Sequence, residues 1–176
     1  FLLPAYGANK DTKAIYELIE RVTPGYSSQY RLEIIAPDNG VDVYEVDGNG
    51  KEIILRGNTP VALATAFNWY LKYTCQAHVS WFGNQLNLPE KLPQPRERER
   101  RVINGRYRVY MNYCTVSYTA AWWDWERWQK ELDFMAMNSV NMPLFTIGLD
   151  AVWYNTLLHF NFSDREARAF LAGPGH

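Results

Sequence analysis

Few side chains in this 176-residue sequence are placed to do directed polar chemistry, and their spacing narrows what that chemistry is. Three histidines, His78, His159 and His176, are scattered, and two cysteines, Cys75 and Cys114, stand far apart. Neither type reaches a metal-ligand spacing, so no metal and no cofactor is expected. A structural disulfide between the two thiols is allowed but not required, and two buried thiols are the expected state. What remains is a set of polar residues where regular elements begin or end. Asn112 and Cys114 close one extended run and Gly148 and Asp150 close another, while Asp124 and Glu126 open a helix. Residues two apart in a strand share a face, so Asn112 and Cys114 are expected to point to one side, where an amide and a small soft thiol suit a hydroxyl or acetamido group. Gly148 lets the backbone approach a ligand. Asp150 can accept hydrogen bonds from hydroxyl groups, cap the helix that follows it, or do both. Asp124 reads as a helix N-cap and Glu126 as a first-turn carboxylate favoured by the helix dipole, so both are structural.

Around the first pair lies "RVYMNYCTVSYTAAWWDWERW", residues 108–128, with tyrosines at 110, 113 and 118 and tryptophans at 122, 123, 125 and 128. Each ring is either core or a flat face on which a sugar can stack. Residues one to three apart around a helix entrance point in different directions, so the four tryptophans cannot share one ligand. Most are expected to be filling between packed elements, each burying roughly 150–250 Å².

A net charge of -1 provides no field to gather nucleic acid or an anionic membrane surface. No run of about 18 apolar residues exists, so no membrane span is expected. The opening "FLLPAYGANK" is apolar but lacks a basic leader, and reads as the beginning of a mature chain after leader removal or trimming.

The elements that must position these residues fall into two groups. In the first, "NKDTKAIYELIERV" carries Ala14, Ile15, Leu18, Ile19 and Val22 on one helical stripe, with Asp11 or Thr12 as N-cap. "YRLEIIA", "VDVYEVD" and "KEIILRG" are short β-rich runs separated by the turn sequences "PDNG" and "GNG", expected to form an antiparallel meander. "NTPVALATAFNWYLKYTC" is a helix with Thr59 as N-cap and Pro60 at its first position, apolar enough to be buried on more than one side. This predicts a small α/β domain over 1–95, an antiparallel sheet with helices. "NLPEKLPQPRERERR" then reads as an extended linker or sheet edge, 96–105, with Arg96, Arg98 and Arg100 on one side and Glu97 and Glu99 on the other; the interleaved glutamates argue against a nucleic-acid patch.

In the second group, over 106–176, "RYRVYMNYC" is an extended run, "DWERWQKELDFMAMN" an amphipathic helix, "VNMPLFTIG" a second, buried strand, "DAVWYNTLLHF" a helix, and "SDREARAFLAG" a helix opened by a capping signal. Strand, helix, strand, helix is the beginning of a parallel α/β architecture. Two such units cannot close on themselves, and a (β/α)8 barrel needs about 250 residues. The expectation is therefore an N-terminal piece of a longer protein, with an exposed apolar edge near "VNMPLFTIG".

The run "NYCTVSYTAAWWDWERWQKELDFMAMNSVNMPLFTIGLDAVW" resembles the opening of the catalytic barrel of the α-N-acetylglucosaminidases, glycoside hydrolase family 89. The resemblance is carried by Asn112-x-Cys114-Thr115, Ser117-Tyr118, Trp122-Trp123-Asp124-Trp125-x-Arg127-Trp128 and "NSVNMPL", and it covers about the last 70 residues. After the second strand the family pattern is Gly-Gln-Glu-Ala-x-Trp; Gly148, Ala151 and Trp153 match it, Leu149 replaces the amide, and Asp150 shortens the acid by a methylene. The resemblance implies a retaining exo-hydrolase that releases terminal α-linked N-acetylglucosamine from glycans, with two glutamates from later strands about 5 Å apart across the sugar. It implies no catalytic residue within these residues, so the chain alone is expected to be inactive. It also implies a sugar pocket lined in part by Asn112 and Cys114, joined by Gly148 and Asp150, and the remainder of the parent chain as a partner. A secreted, periplasmic or lysosome-like setting follows from the same resemblance. An alternative from the residues alone is a stand-alone carbohydrate-binding or protein-interaction module using Trp81 and the aromatic run.

Overall fold

The computed structural model describes residues 10–144 and 148–172. The turn expected at Pro4–Gly7, residues 145–147 of the second barrel strand and the final "GPGH" lie outside the described residues. Two compact units are present: one holds the chain up to Tyr110 together with Trp123–Pro143, the other Met111–Trp122 together with the chain from Leu144 on.

In the first unit, α1 (Lys10–Val22) buries Ile15, Leu18 and Ile19, three of the residues on the expected stripe. The helix already includes Lys10, so Asp11 and Thr12 lie within its first turn and neither is the cap. A four-stranded sheet follows, formed by β1 (Tyr30–Ile34), β2 (Asp42–Gly48), β3 (Ile53–Gly57) and β4 (Glu99–Ile103). Its order is β1-β3-β2-β4. β2 runs antiparallel to both its neighbours, but β1 pairs parallel to β3, so the sheet is mixed and the expected meander is corrected. The turn at "PDNG" does form: Val41 N–H donates to the Asp38 carbonyl at 2.9 Å, with Asn39 and Gly40 at φ 49° and 74°. Its arms are not β1 and β2, however. The turn lies inside a longer connection that carries the chain past β3, and the more deeply buried β3 takes the place between them.

Helix α2 (Pro60–Tyr73) begins as its sequence requires, with the Thr59 Oγ1 accepting the Ala62 N–H at 3.1 Å and Pro60 where no N–H is needed. Leu63, Ala64, Ala66, Phe67, Tyr70 and Leu71 are each fully buried. The helix packs against β2, β3, α1 and a later helix, α4 (Trp125–Met137), which explains burial on most of its sides. Gly57 ends β3 so close to the start of α2 that a Cβ there would sit 2.6 Å from the Leu63 nitrogen.

The other face of the sheet carries a network of ion pairs centred on Glu45 and Arg56. Arg98 and Arg100 share a side, as alternation requires, and both reach the buried Glu45 carboxylate, at 2.6 and 3.6 Å. Arg56 bonds Glu33 at 2.6 Å and Asp47 at 3.0 Å. Burial works against the Asp47 charge, but the Arg56 guanidinium and the Gly48 N–H outweigh it and hold the carboxyl below its usual range. The segment expected to be linker or edge is thus an edge strand whose arginines are paired.

Two consequences are measurable. A carboxylate whose folded pKa is depressed contributes stability above its unfolded pKa and loses that contribution as the pH falls. The urea midpoint should therefore decline as pH is lowered from about 6 to about 3, and Asp47→Asn should make that decline shallower. The buried Asn68 donates its side-chain amide to the Met137 carbonyl at 2.9 Å, tying α2 to the end of α4. Asn68→Ala strands that carbonyl and should lower unfolding free energy by about 1–3 kcal/mol in urea titrations.

Candidate functional site

The first unit also contains a parallel strand–helix–strand. β5 (Val109–Tyr110) pairs parallel to β6 (Met142–Pro143), with Val109 opposite Met142 and Tyr110 opposite Pro143, and they are joined through α4 (Trp125–Met137). Helix α4 starts as expected, Asp124 accepting the Arg127 N–H at 2.8 Å with Glu126 exposed in its first turn. The short ladder is held by side chains that sequence reasoning did not single out. Asn141 accepts the Arg108 N–H and donates to the Arg106 carbonyl, both at 2.9 Å, which extends the pairing with a side-chain amide. The Arg108 guanidinium reaches Asp42, the Ser139 carbonyl and the Gly105 carbonyl. Among the described residues the second strand is not the buried strand its sequence suggests but matches the exposed apolar edge expected near "VNMPLFTIG": Met142 is 45% and Val109 opposite it 65% accessible. A parallel pair is buried only when both its faces are covered.

Beneath β5 lies a carboxylate with no solvent exposure, Glu131. It accepts the Trp81 indole N–H at 3.1 Å and the Arg127 guanidinium at 2.9 Å. Burial, and then the neighbouring Glu131 charge, raise the Tyr110 hydroxyl above its ordinary pKa. Arg127 also lies 3.8 Å over the Trp123 ring and 5.4 Å over Trp81. Trp81, Trp123 and Trp128 meet edge to face, with centroids 5.9 and 5.0 Å apart. Two residues beyond Glu131 on α4, Asp133 takes a two-pronged bond from Arg21, both arms at 2.8 Å, and this bond raises the Arg21 pKa. The aromatic run therefore divides. Trp128 is core and Trp123 half-buried, but Trp122 and Trp125 are 94% and 65% exposed, which corrects the expectation that most of the four are filling. Their surroundings depend on elements far from them in sequence, which local spacing cannot reveal.

The residues expected to touch a ligand lie in the second unit. β5 stops at Tyr110, Met111 turns the chain at φ 68°, and Asn112 caps a short helix, α3 (Tyr113–Ser117). The Asn112 Oδ1 accepts the Thr115 N–H at 3.1 Å and the Thr115 hydroxyl at 3.3 Å. Cys114 is an exposed free thiol within α3, and Cys75 a half-buried free thiol raised by burial against the lowering effect of Tyr70. Strand alternation thus does not set the Asn112 and Cys114 directions; residues two apart on a helix point to nearly opposite sides, and Cys114 is not buried. Gly148 precedes α5 (Leu149–His159) at φ 75°, a conformation that costs glycine little, with nothing within 4 Å of where a Cβ would stand. Asp150 is exposed in the first turn of α5, where the helix dipole favours a carboxylate, and Gly148 rather than Asp150 holds the cap position. It lines a shallow depression of about 490 Å³ with Tyr154 and Arg168. α6 (Asp164–Leu171) carries the expected capping box between Ser163 and Glu166. Among the described residues, no hydrogen bond or ion pair joins Asn112 and Cys114 to Gly148 and Asp150, and no helix is long and apolar enough to cross a membrane.

Comparison with known proteins places this geometry. Residues 13–94 match the family described as alpha-N-acetylglucosaminidase (NAGLU) N-terminal domain, and residues 106–176 the alpha-N-acetylglucosaminidase (NAGLU) TIM-barrel domain. Alpha-N-acetylglucosaminidase of Homo sapiens is 35% identical over 170 residues, 94% of this chain and 23% of that protein. The family 89 glycoside hydrolase from Clostridium perfringens, in complex with 2-acetamido-1,2-dideoxynojirmycin, superposes with a TM-score of 0.82 at 36% identity, over 90% of this chain and 18% of that one. A form of that enzyme with two glutamates replaced by glutamine, in complex with its substrate GlcNAc-α-1,4-galactose, superposes equally well, with a TM-score of 0.82. The chain is thus a small α/β domain followed by the start of a TIM barrel. It belongs to the α-N-acetylglucosaminidases of glycoside hydrolase family 89, and spans about a fifth of the length of the relatives it matches.

The buried carboxylate separates the two glutamates of α4. Glu131→Ala leaves a guanidinium and an indole N–H without their acceptor and should cost about 3 kcal/mol or more in urea unfolding. Glu126→Gln, at an exposed position of the same helix, should change stability by less than about 0.5 kcal/mol.

Proposed function

We propose that the protein carrying these residues is a retaining exo-glycosidase releasing terminal α-linked N-acetylglucosamine from glycans. In this proposal 1–95 forms the N-terminal α/β domain, 96–105 the connecting edge and 106–176 the beginning of the catalytic (β/α)8 barrel. The observation that carries the proposal is positional. Asn112 and Cys114 follow directly on β5, and Gly148 and Asp150 follow the segment that contains β6. Barrel active sites are built from the loops at the C-terminal ends of such parallel strands. The bacterial relative's complexes with an amino-sugar mimic and an α-linked N-acetylglucosaminide support the substrate class.

The chemistry available to each residue follows from its bonds. Because Thr115 occupies the Asn112 carbonyl oxygen, the amide NH2 is left to donate, which suits a sugar hydroxyl or an acetamido carbonyl. Cys114 supplies a small polarisable wall. Gly148 admits backbone close to a ligand, and the Asp150 carboxylate accepts from hydroxyl groups. In a retaining mechanism two carboxyl groups about 5 Å apart act as nucleophile and as acid/base through a covalent glycosyl intermediate. Both are assigned here to later barrel strands. A secreted, periplasmic or lysosome-like location accords with such an activity.

Hydrolysis of a chromogenic α-N-acetylglucosaminide tests the proposal. The full-length protein should turn it over with retention of configuration, and Asn112→Ala should lower kcat/KM by about 10- to 100-fold, as expected for loss of one substrate hydrogen bond. The 176-residue chain by itself should show no turnover; measurable hydrolysis by it would refute the assignment of the carboxyl pair.

A further inference from the structure

Within the first unit, the turn Val79–Asn84 and the exposed side of α4 enclose a cleft of about 660 Å³, a size usual for small-molecule sites. We infer that this cleft is a binding site for a neutral oligosaccharide, with Trp81 and Phe82 as its stacking platform. The inference does not depend on the hydrolase assignment.

Three observations carry it. The first is the rigidity of the platform. The turn is clamped at its base by reciprocal backbone bonds between His78 and Gln85, at 2.9 and 2.7 Å, and at its tip by the Ser80 hydroxyl donating to the Gly83 carbonyl at 2.7 Å. Trp81 is fixed by its N–H on the buried Glu131 and by its edge contact with Trp123, yet keeps 42% of its surface exposed. A ring held in place before the ligand arrives loses little freedom on binding.

The second is Phe82, 101% exposed on that ordered turn. A single exposed aromatic needs no explanation. Two adjacent rings, one oriented by a buried carboxylate and both lining one concavity, present flat apolar faces of the kind that pack on the C–H face of a pyranose.

The third is charge. The lining contains Arg21, Arg127 and Lys130 against Glu126, Glu131 and Asp133, an even balance. Arg21 is bound to Asp133 and Arg127 to Glu131. A phosphate, a polyanion or a strongly cationic ligand would meet no complementary field. A polyol, which donates and accepts in equal measure, meets both kinds of partner in Gln129, Asn84, Lys130 and Glu126.

The test uses the full-length protein and three probes, lactose, maltotriose and chitotriose, each followed by tryptophan fluorescence and by calorimetry. At least one should bind saturably with a Kd in the millimolar range, and Phe82→Ala should weaken it by about tenfold or abolish it. Because Phe82 packs on nothing, this variant should keep the wild-type melting temperature and wild-type hydrolysis of the α-N-acetylglucosaminide, which separates this cleft from the proposed hydrolytic site. Trp81→Phe, which retains a ring but loses the bond to Glu131, should weaken the same probe to an intermediate degree. The inference is overturned if none of the three probes binds, or if binding is the same in Phe82→Ala as in the wild type.

Discussion

Helix α2 is buried on most of its sides, and the rest of the first unit is arranged around that constraint. Its alanines let α1 and the sheet approach on one side, and its polar residues are spent on the other. Thr59 caps its beginning and Asn68 reaches the Met137 carbonyl at the end of α4. An apolar helix of this kind is unstable alone and must be covered from several directions at once. The supply of covers explains why an early α/β layer and a much later helix, α4, form one body. The close seat of Gly57 against Leu63 fixes where the sheet ends relative to the helix, and hence where β2, β4 and the segment leading to β5 emerge.

Helix α4 in turn carries two buried acids on different sides, Glu131 toward Trp81 and Tyr110 and Asp133 toward Arg21. Neither Glu131 nor Asp133 is exposed, and each is matched by a guanidinium, from its own helix in one case and from α1 in the other. Such pairs add little net stability relative to apolar packing, but they are costly to misplace. Their effect is to make one seating of α4 against α1 and the Trp81 turn much better than its neighbours. Glu131 also faces Tyr110, the last residue of β5, so the same carboxylate bears on the strand from which the candidate pocket residues depart.

What could be read from the sequence were the features decided within a few residues. The Thr59-Pro60 start, the Asp124 cap, the Ser163/Glu166 box and the Ile15-Leu18-Ile19 stripe all follow from local chemistry, and all are present. The alternation that puts Arg98 and Arg100 on one side, both toward Glu45, was legible for the same reason. Choices made between distant segments were not. "PDNG" correctly announces a turn, but not that β3 lies between the flanking strands. Nothing local to "NYCTVS" shows that Met111 leaves the strand and that Asn112 begins a helix, so the relation between Asn112 and Cys114 was misjudged although both residues were found. The buried acids of α4 look like ordinary helix-surface charges until Arg21 and Trp81 are seen beside them.

The strand order has a bearing on how the domain assembles. β2 and β3 are joined by a tight connection and can zip locally, whereas β1 has to find the far side of that hairpin and β4, arriving much later in the chain, must close the opposite border. Non-local pairings of this type are slow because the loop entropy is lost before the contacts form. On the ribosome, where the chain emerges from its N-terminus, the outer border of β2 would stay unsealed until Glu99–Ile103 had been made, leaving a nascent sheet whose sticky margin is shielded last by its most arginine-rich strand.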